Sequence, residues 1–273
     1  MVPRLAADDW RFPPTAQALD AATCGTPESL DGLLAYGGDL EPGRLERAYR
    51  RGIFPWFAPG QPILWWSLAP RMVLEVDPAR GNFRLQRSLR KTLQRFIATP
   101  GCEIRIDHDC PAVIAACAGT PRPGQDGTWI VPQMVRAYSR WHREAVQGGG
   151  SAVHSGVHSV ETWIDGELAG GLYCISIGGM VFGESMFAHR PDASKFALAA
   201  LVAFCRVNGL PRIDCQQQTA HLARFGALPQ PREDFERHLA ESLALPAPPR
   251  WVWSADHWSA LPELVGSQGG RRP

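Results

Sequence analysis

Residues 157–187 constrain the fold of this 273-residue chain most strongly, because they combine strand-like segments with two tight-turn signals. Asp165-Gly166 and Gly178-Gly179 are dipeptides typical of two-residue β-hairpins. The segments that they separate either alternate in hydrophobicity or are continuously apolar, as expected of strands that face a core. The pattern predicts a three-strand antiparallel meander over residues 157–164, 167–177 and 180–187.

The sequence on either side of the meander mixes helices and strands. After it, Asp192 is expected to cap a helix that ends at Gly209, and a short strand follows at 212–215. Helical spacing at 42–51, 88–97, 111–117, 132–147, 219–225 and 232–243 is interspersed with strand-like segments at 33–40, 72–76 and 102–106. These patterns predict an α+β protein whose sheet is mainly antiparallel and flanked by helices.

Shifts in composition suggest three parts along the chain. Residues 1–69 are expected to form a small N-terminal domain, whose first 32 residues, rich in Pro, Asp and Ala, form a loosely ordered lead-in. Residues 70–245 form the main domain, and the Pro-, Gly- and Ser-rich residues 246–273 form a peripheral tail. Within 148–159, the tandem Val-His-Ser triplets are interpreted as a small loop duplication without a catalytic role.

Charge and composition argue against several classes of protein. The formal net charge is only +1, so any nucleic-acid partner must bind a local basic patch. Seven cysteines without a C-x-x-C pair, and eight histidines without helical ligand spacing, predict reduced thiols and no metal site. The absence of a long apolar segment and of a signal-peptide pattern predicts a protein of the cytoplasm that does not contact membranes.

The predicted order of antiparallel strands, helix and further strand resembles acetyltransferases of the GNAT type. Those enzymes bind the pyrophosphate of coenzyme A on a glycine-rich loop at the start of a helix. The corresponding residues 186–195 contain no glycine, and the carboxylate of Asp192 would occupy the position of a phosphate. The pattern therefore favours acyl transfer to an amine without coenzyme A.

Seven short motifs carry a more specific resemblance, spread over residues 30–240. They are GGDL (37–40), YRRGIFPWF (49–57), PILWWS (62–67), GTWI (127–130), GGLY (170–173), FGESMF (182–187) and IDCQ (213–216). In order and spacing the chain resembles the leucyl/phenylalanyl-tRNA–protein transferase family. The resemblance implies a small N-terminal α/β domain packed on a GNAT-like C-terminal domain.

The resemblance also implies an activity and its partners. A member of this family would transfer Leu or Phe, and less readily Met, from aminoacyl-tRNA to proteins that begin with Arg or Lys, which then become degradation substrates. The aminoacyl ester is already activated, so the reaction needs no cofactor, metal or covalent nucleophile. A monomer is expected.

Three polar residues of these motifs are candidates for catalysis. Asp214 lies in a short apolar strand and could orient or deprotonate the attacking amine, as a true base or as an electrostatic aid. Gln216 follows two residues later, on the same face of an extended strand, and could bind the amine or the ester carbonyl. Glu184 follows the small Gly183, where a ligand can approach the backbone, and could bind an α-ammonium group.

The remaining site candidates rest on the resemblance. The side-chain pocket would be lined by Trp129, Leu172, Val181, Met186 and Ile213. Trp56 and Tyr138 would lie against the terminal adenosine, with Thr219 nearby. Gly183 and Ser185, which flank Glu184, are further candidates for substrate binding. The basic residues of 44–51 and 84–91 are candidates for contacts with tRNA phosphates, or are simply solvated helix faces. Cys215 lacks a neighbouring His and is not expected to act as a nucleophile.

Two other functions remain open at this stage. A GNAT-type enzyme could use a different acyl donor, although the missing glycine-rich loop argues against it. A non-catalytic RNA-binding module is the third possibility, against which stand the near-neutral charge and the acids among the motif residues.

Overall fold

Two sheets organise the protein. The computed structural model describes residues 2–25, 27–79, 81–120, 130–147 and 155–264. In the described residues the strands are β1 (Arg4–Leu5), β2 (Leu33–Gly37), β3 (Phe54–Pro55), β4 (Leu64–Trp66), β5 (Arg71–Glu75), β6 (Cys102–Ile106), β7 (Ser155–Ile164), β8 (Glu167–Ile177), β9 (Met180–Ala188), β10 (Arg212–Gln216) and β11 (Leu228–Gln230). The larger sheet has the order β11-β5-β10-β9-β8-β7-β6, and the smaller sheet has the order β1-β2-β4-β3.

The predicted meander is confirmed as β7, β8 and β9. Asp165 and Gly166 both have positive φ angles, 52° and 79°, as a type I′ hairpin turn requires. At the second turn Gly178 has φ 55°, and an added Cβ would lie 2.6 Å from the carbonyl oxygen of Leu243. The second turn therefore needs glycine both for its backbone conformation and for the close approach of the end of the last long helix.

Helices cover both faces of the larger sheet. They are α1 (Ala21–Cys24), α2 (Pro42–Tyr49), α3 (Arg87–Ala98), α4 (Cys110–Gly119), α5 (Pro132–Gln147), α6 (Ala193–Val207), α7 (Ala220–Ala223) and α8 (Arg232–Leu243). Helices α4 and α5 pack on one face together with the N-terminal sheet, and α3 and α6 pack on the other. None of the described helices is long and apolar enough to cross a membrane.

Within the described part of the chain, helix α6 connects the only parallel pair of strands in the larger sheet, β9 and β10. Every other neighbouring pair in this sheet is antiparallel. The prediction of an α+β fold with a mainly antiparallel sheet and flanking helices is confirmed. The order of meander, helix and parallel strand, on which the likeness to GNAT enzymes rested, is also present.

Asp192 precedes α6 as predicted, but its side chain does not cap the helix. Its backbone is in the left-handed region, with φ 64°, and its carboxylate accepts no hydrogen bond from a backbone N–H of the first turn. The carboxylate instead binds Lys195 Nζ at 2.7 Å and accepts from Thr92 Oγ1 at 3.3 Å. The expectation that this acid occupies the anion position at the helix start is therefore wrong.

The first 32 residues are more ordered than the sequence suggested. Strand β1 pairs with β2, and Phe12 is buried with its ring edge against Trp65, 4.9 Å between centroids. The buried Arg44 donates to the carbonyl oxygens of Ala6, Ala7 and Asp9, so it fixes a segment without regular structure. Side chains from later in the chain order this lead-in, which local sequence patterns do not reveal.

The segment after residue 246 also packs on the core within its described part. Trp251 stacks on His158 with centroids 4.0 Å apart and planes 3° apart, and it contacts Phe204 of α6. Leu261 and Leu264 are buried in the core that contains α6. The expectation of a peripheral tail therefore fails for residues 251–264, because their aromatic and leucine side chains bury substantial apolar surface.

The second Val-His-Ser triplet is not in a loop. Val157, His158 and Ser159 lie within β7 and are buried. His158 binds Asp107 Oδ2 at 2.7 Å, and Ser159 N–H donates to Asp107 Oδ1 at 2.7 Å. The first triplet lies largely outside the described residues, so the loop interpretation is wrong for the part that can be seen.

Replacing Trp251 by Ala should destabilise the protein by about 2 kcal/mol, because it removes a partly buried aromatic ring from two ring contacts. The neighbouring Val252 is 60% exposed, so Val252→Ala is a matched control with an expected change below about 0.5 kcal/mol. Urea unfolding followed by circular dichroism measures both. Equal midpoints for the two variants would show that this segment does not contribute to the core.

Candidate active site

Two irregularities in neighbouring strands create the polar site. Strands β9 and β10 run in parallel register up to the pair Asp214 and Phe182. Just beyond that pair, Glu184 is the extra residue of a β-bulge in β9, and the register of β10 shifts between Asp214 and Gln216. Bulges redirect side chains and are common beside active sites. Regular strand pairing therefore ends at the positions of Glu184 and Gln216, the two candidate catalytic residues.

The side chains of Glu184 and Gln216 bind each other at this point. Gln216 Nε2 donates to Glu184 Oε1 at 2.6 Å, and Tyr138 OH donates to Glu184 Oε2 at 3.4 Å. The hydroxyls of Tyr138 and Tyr49 are 2.7 Å apart, which lets Tyr49 donate to Tyr138. Burial, and then the charge of Glu184, raise the pKa of both tyrosines well above the usual value, so both remain neutral donors.

Glu184 is a buried acid without a counter-charge. Only 8% of it is exposed, and among the described residues it forms no ion pair; the nearby Arg71 is paired with Asp214 instead. Burial is the main cause that raises the pKa of Glu184 to about 8, and the charge of Asp214 adds to it. A cationic ligand beside this carboxyl group would restore its ordinary ionisation.

Asp214 is held by a buried arginine. Neither Asp214 nor Arg71 is exposed, and Arg71 Nε and Nη2 bind the two carboxylate oxygens at 2.8 and 2.7 Å. The backbone N–H of Gln216 donates to Asp214 Oδ1 at 2.8 Å. Gln216 has φ 58°, a left-handed conformation that is uncommon for a residue with a side chain. Asp214 therefore stabilises the backbone conformation that aims Gln216 at Glu184.

This geometry corrects two expectations about Asp214. Both of its oxygens are engaged and it has no exposed surface, so the described structure gives it no direct access to an amine. Asp214 and Gln216 are not related by regular strand alternation either, because the bulge intervenes and the side chains bind different partners. The two residues are coupled through the N–H group of Gln216.

Gly183, beside the bulge, has room for a small side chain. An added Cβ would lie 3.5 Å from the carbonyl oxygen of Asp214 and 3.7 Å from Ile213 Cγ2, which are ordinary contacts, and the φ of Gly183 is not positive. The fold itself therefore tolerates alanine at this position. This makes Gly183 a useful probe of whether a ligand approaches the backbone here.

The proposed side-chain pocket lies toward the other face of the sheet. Leu172 pairs with Met186 across β8 and β9, and Val181 pairs with Ile213 across β9 and β10. All four pack in the core that contains α6, whereas the tyrosines around Glu184 belong to the core that contains α5. The structure brings these four residues together but separates them from the carboxyl group. Trp129 lies outside the described residues.

The predicted adenosine contacts are dispersed. Tyr138 is fully buried against Tyr173 and hydrogen-bonded in the Glu184 network, so its ring has no free face. Trp56 is partly exposed and packs against Trp66. Ser185 pairs with Tyr173 in the sheet, and Thr219 Oγ1 accepts from Leu222 N–H at the start of α7. Of these residues, Tyr138 is hydrogen-bonded to the candidate catalytic group Glu184.

The two basic segments, 44–51 and 84–91, differ in whether their side chains are free to contact tRNA phosphates. In 44–51, Arg44 is buried, Arg51 binds the carbonyl oxygens of Phe12 and Pro13, and Arg50 pairs with Glu46. The expectation of phosphate contacts is therefore wrong for Arg44, whose role is structural. In 84–91, by contrast, Arg84, Arg87 and Lys91 are exposed.

A group of metal-ligating residue types lies away from this site. Donor atoms of Asp107, Cys110 and His142 come within 4.8 Å of one another. Asp107 is already hydrogen-bonded to His158 and Ser159, and His142 Nδ1 binds the carbonyl oxygen of Val157 at 2.8 Å. These hydrogen bonds account for the cluster as part of the fold.

The sequence analysis missed two members of the polar network. Arg71 lies just before the predicted strand 72–76 and was given no role, although an arginine at the start of an apolar strand is unusual and could have signalled a buried partner. Tyr49 was noted only as part of a motif. Cys215, which was set aside, has its thiol 3.7 Å from the carbonyl oxygen of Ile213, and burial raises its pKa well above the usual value, as expected of an unreactive thiol.

The fold and this site together define a class of α+β protein in which a buried acid and amide meet where two parallel strands separate. Comparison with known proteins specifies the class further. The family model for leucyl/phenylalanyl-tRNA protein transferase matches residues 78–240, and the model for the N-terminal domain of the same family matches residues 38–68. The chain belongs to the leucyl/phenylalanyl-tRNA–protein transferase family, whose members are aminoacyltransferases.

Curated relatives agree over nearly the whole chain. A leucyl/phenylalanyl-tRNA–protein transferase of Methylibium petroleiphilum is 54% identical over 94% of this chain and 90% of its own length. The transferase of Leptothrix cholodnii is 52% identical over 98% and 95%, respectively. A solved structure, the C-terminal domain of a putative lysylphosphatidylglycerol synthetase from Agrobacterium fabrum, aligns with 85% of this chain and 71% of its own, at 12% identity and a TM-score of 0.30.

Replacing Glu184 by Gln should change how stability depends on pH. A carboxyl group whose pKa is raised to about 8 favours folding fully below the ordinary value of 4.5, and this contribution is lost as the pH rises through 8. The variant should therefore unfold at a higher urea concentration than the wild type at pH 9, and the advantage should shrink toward pH 5. Glu167→Gln, at a side chain that is 77% exposed, is the control and should show no such trend. Parallel pH profiles for wild type and Glu184→Gln would contradict the burial argument.

Proposed function

We propose that this protein transfers Leu or Phe, and less readily Met, from aminoacyl-tRNA to the N-terminal Arg or Lys of acceptor proteins. The product carries a new peptide bond and is marked for degradation. The relatives are named for transfer between leucyl- or phenylalanyl-tRNA and protein, which supports the donor. The choice of acceptor, the use of Met, the cytoplasmic location and the monomeric state belong to the proposal.

The observation that carries the proposal is the uncompensated acid Glu184. The reaction brings two amino groups to one ester, that of the donor amino acid and that of the acceptor. A buried carboxyl group with two hydrogen-bond donors and no cation is suited to bind an ammonium group. We assign Glu184 to the α-ammonium group of the donor amino acid, which it would orient beside the sheet.

Gln216 is assigned to the attacking amine. Its amide nitrogen donates to Glu184 Oε1, so the geometry leaves its amide oxygen as an acceptor. Accepting a hydrogen bond from the neutral α-amine would aim the nitrogen lone pair at the ester carbonyl. The C–N bond forms, the ester C–O bond breaks, and the proton that the amine loses ends on the 3′ oxygen of the leaving tRNA.

Asp214 is assigned a positioning role, because its contacts are with Arg71 and the N–H group of Gln216. The charge of Asp214 also raises the pKa of Glu184. Asp214 therefore makes the ionised form of Glu184 more dependent on a bound cationic ligand. Removal of one partner of a buried ion pair costs about 3–5 kcal/mol. A substitution that preserves shape is therefore required to test Asp214.

The test of the function is direct. Incubating the purified protein with leucyl-tRNA and a peptide that begins with Arg should give a Leu-Arg peptide bond without coenzyme A, detected by mass spectrometry. A peptide that begins with Ala should remain unmodified. Transfer that requires an acyl-coenzyme A would favour the GNAT alternative. Retention of tRNA without any transfer would favour the RNA-binding alternative and would refute the proposal.

Gly183 provides a test of where the substrate lies. Gly183→Ala should preserve the fold, since the added Cβ makes only ordinary contacts, but should lower transfer at least tenfold if the substrate passes against this backbone. Gly119→Ala, where nothing lies within 4 Å of the added Cβ, is the matched control and should keep full activity. A fully active Gly183→Ala variant would place the substrate elsewhere.

A further inference from the structure

A cation-lined cavity of about 130 Å³ lies beside the start of α6. Its lining includes four basic side chains, Arg84, Lys195, His221 and Arg224, and only one acid, Asp192. Lys195 pairs with Asp192, which neutralises that acid. Arg84 and Arg224 therefore remain around one small cavity without a matching negative charge, and His221 lies beside them.

The two arginines are free to bind a ligand. The guanidinium groups of Arg84 and Arg224 make no hydrogen bond or ion pair with any residue in the described part of the chain, although the backbone N–H of Arg84 donates to the carbonyl oxygen of Phe225. Partial burial, followed by the charges of Lys195 and Arg224, lowers the pKa of His221. The cavity thus has a positive potential that its own residues do not balance.

The position of the cavity connects it to the candidate active site. Asp192 and Lys195 lie where the chain enters α6 after β9, the strand that carries Glu184. His221 and Arg224 lie in and after α7, which follows β10, the strand that carries Gln216. The cavity therefore lies beyond the carboxyl ends of the parallel pair, where ligands commonly bind in sheets with parallel strands.

We propose that this cavity binds a backbone phosphate near the acceptor end of the tRNA. A phosphodiester matches the planar donors of two arginines, and a lysine and a histidine at the rim suit the same anion. The inference rests on the proposed function, because that function supplies the polyanion. The finding that Asp192 pairs with Lys195 instead of capping α6 removes the reason for excluding a phosphate from this region.

The same cavity chemistry would also suit the pyrophosphate of coenzyme A. We assign the tRNA because the family is one of tRNA–protein transferases, as the matching family models state. The two sources make different predictions, since only a polyanion loses affinity steeply as salt concentration rises.

The test compares binding of leucyl-tRNA by the wild type and by Arg84→Ala/Arg224→Ala, using filter binding between 50 and 300 mM KCl. The dissociation constant of the double variant should rise about tenfold at 150 mM, and the slope of log Kd against log [KCl] should fall by about 1 to 2. Arg250→Ala removes an exposed arginine outside this cavity and should change neither quantity.

An unchanged slope and Kd in the double variant would overturn the proposal. Coenzyme A binding that is lost in the double variant, while leucyl-tRNA binding and its salt dependence stay unchanged, would assign the cavity to coenzyme A instead and would also overturn it. Because binding is measured without transfer, an inactive wild type that still shows the predicted slope difference would refute the proposed function and leave the phosphate site standing.

Discussion

The buried ion pair between Arg71 and Asp214 connects the parts of the protein that build the site. Arg71 opens β5, donates to the carbonyl oxygen of Gly52 at 3.0 Å, and lies 4.8 Å from the ring centroids of both Phe54 and Phe235. It therefore contacts the N-terminal sheet, the larger sheet and α8 at once. Because an unpaired charge at this depth is strongly unfavourable, the pair fixes how these elements meet.

The same ion pair also positions the neighbouring polar groups of the site. Asp214 accepts a hydrogen bond from the backbone N–H of Gln216 and so stabilises the left-handed conformation of Gln216 at the bulge. In this conformation the side-chain amide of Gln216 points toward Glu184. Strained backbone of this kind persists when surrounding contacts over-determine it, as they do here. Because Arg71 is paired with Asp214, Glu184 remains without a cation, and this is the basis on which we propose it as the group that recognises the substrate's ammonium.

Much of the fold could be predicted from the sequence, and the reasons for the failures are physical. Local signals, such as Asp165-Gly166 and the apolar spacing of α5, determine hairpins and amphipathic helices within a few residues. Buried partners are non-local: Arg71 and Asp214 are 143 residues apart, and no pattern in either segment pairs them. The family motifs identified Glu184 and Gln216 as candidate site residues. Their contact depends on two bulges, which the alternation of buried and exposed residues along a strand cannot predict. Order in the lead-in and in the segment after 246 arises from contacts with distant arginine and aromatic side chains.

The central claim is that Asp214 acts through Gln216 and Glu184, without contacting substrate. The decisive measurement is the single-turnover rate of Asp214→Asn at saturating leucyl-tRNA, together with the Glu184 titration followed by NMR of labelled glutamate. The account predicts a rate at least tenfold lower, a tRNA dissociation constant within twofold of the wild type, and a pKa of Glu184 below about 8, since the charge that raises it is gone. A folded Asp214→Asn variant with the wild-type rate and an unshifted Glu184 titration would contradict it.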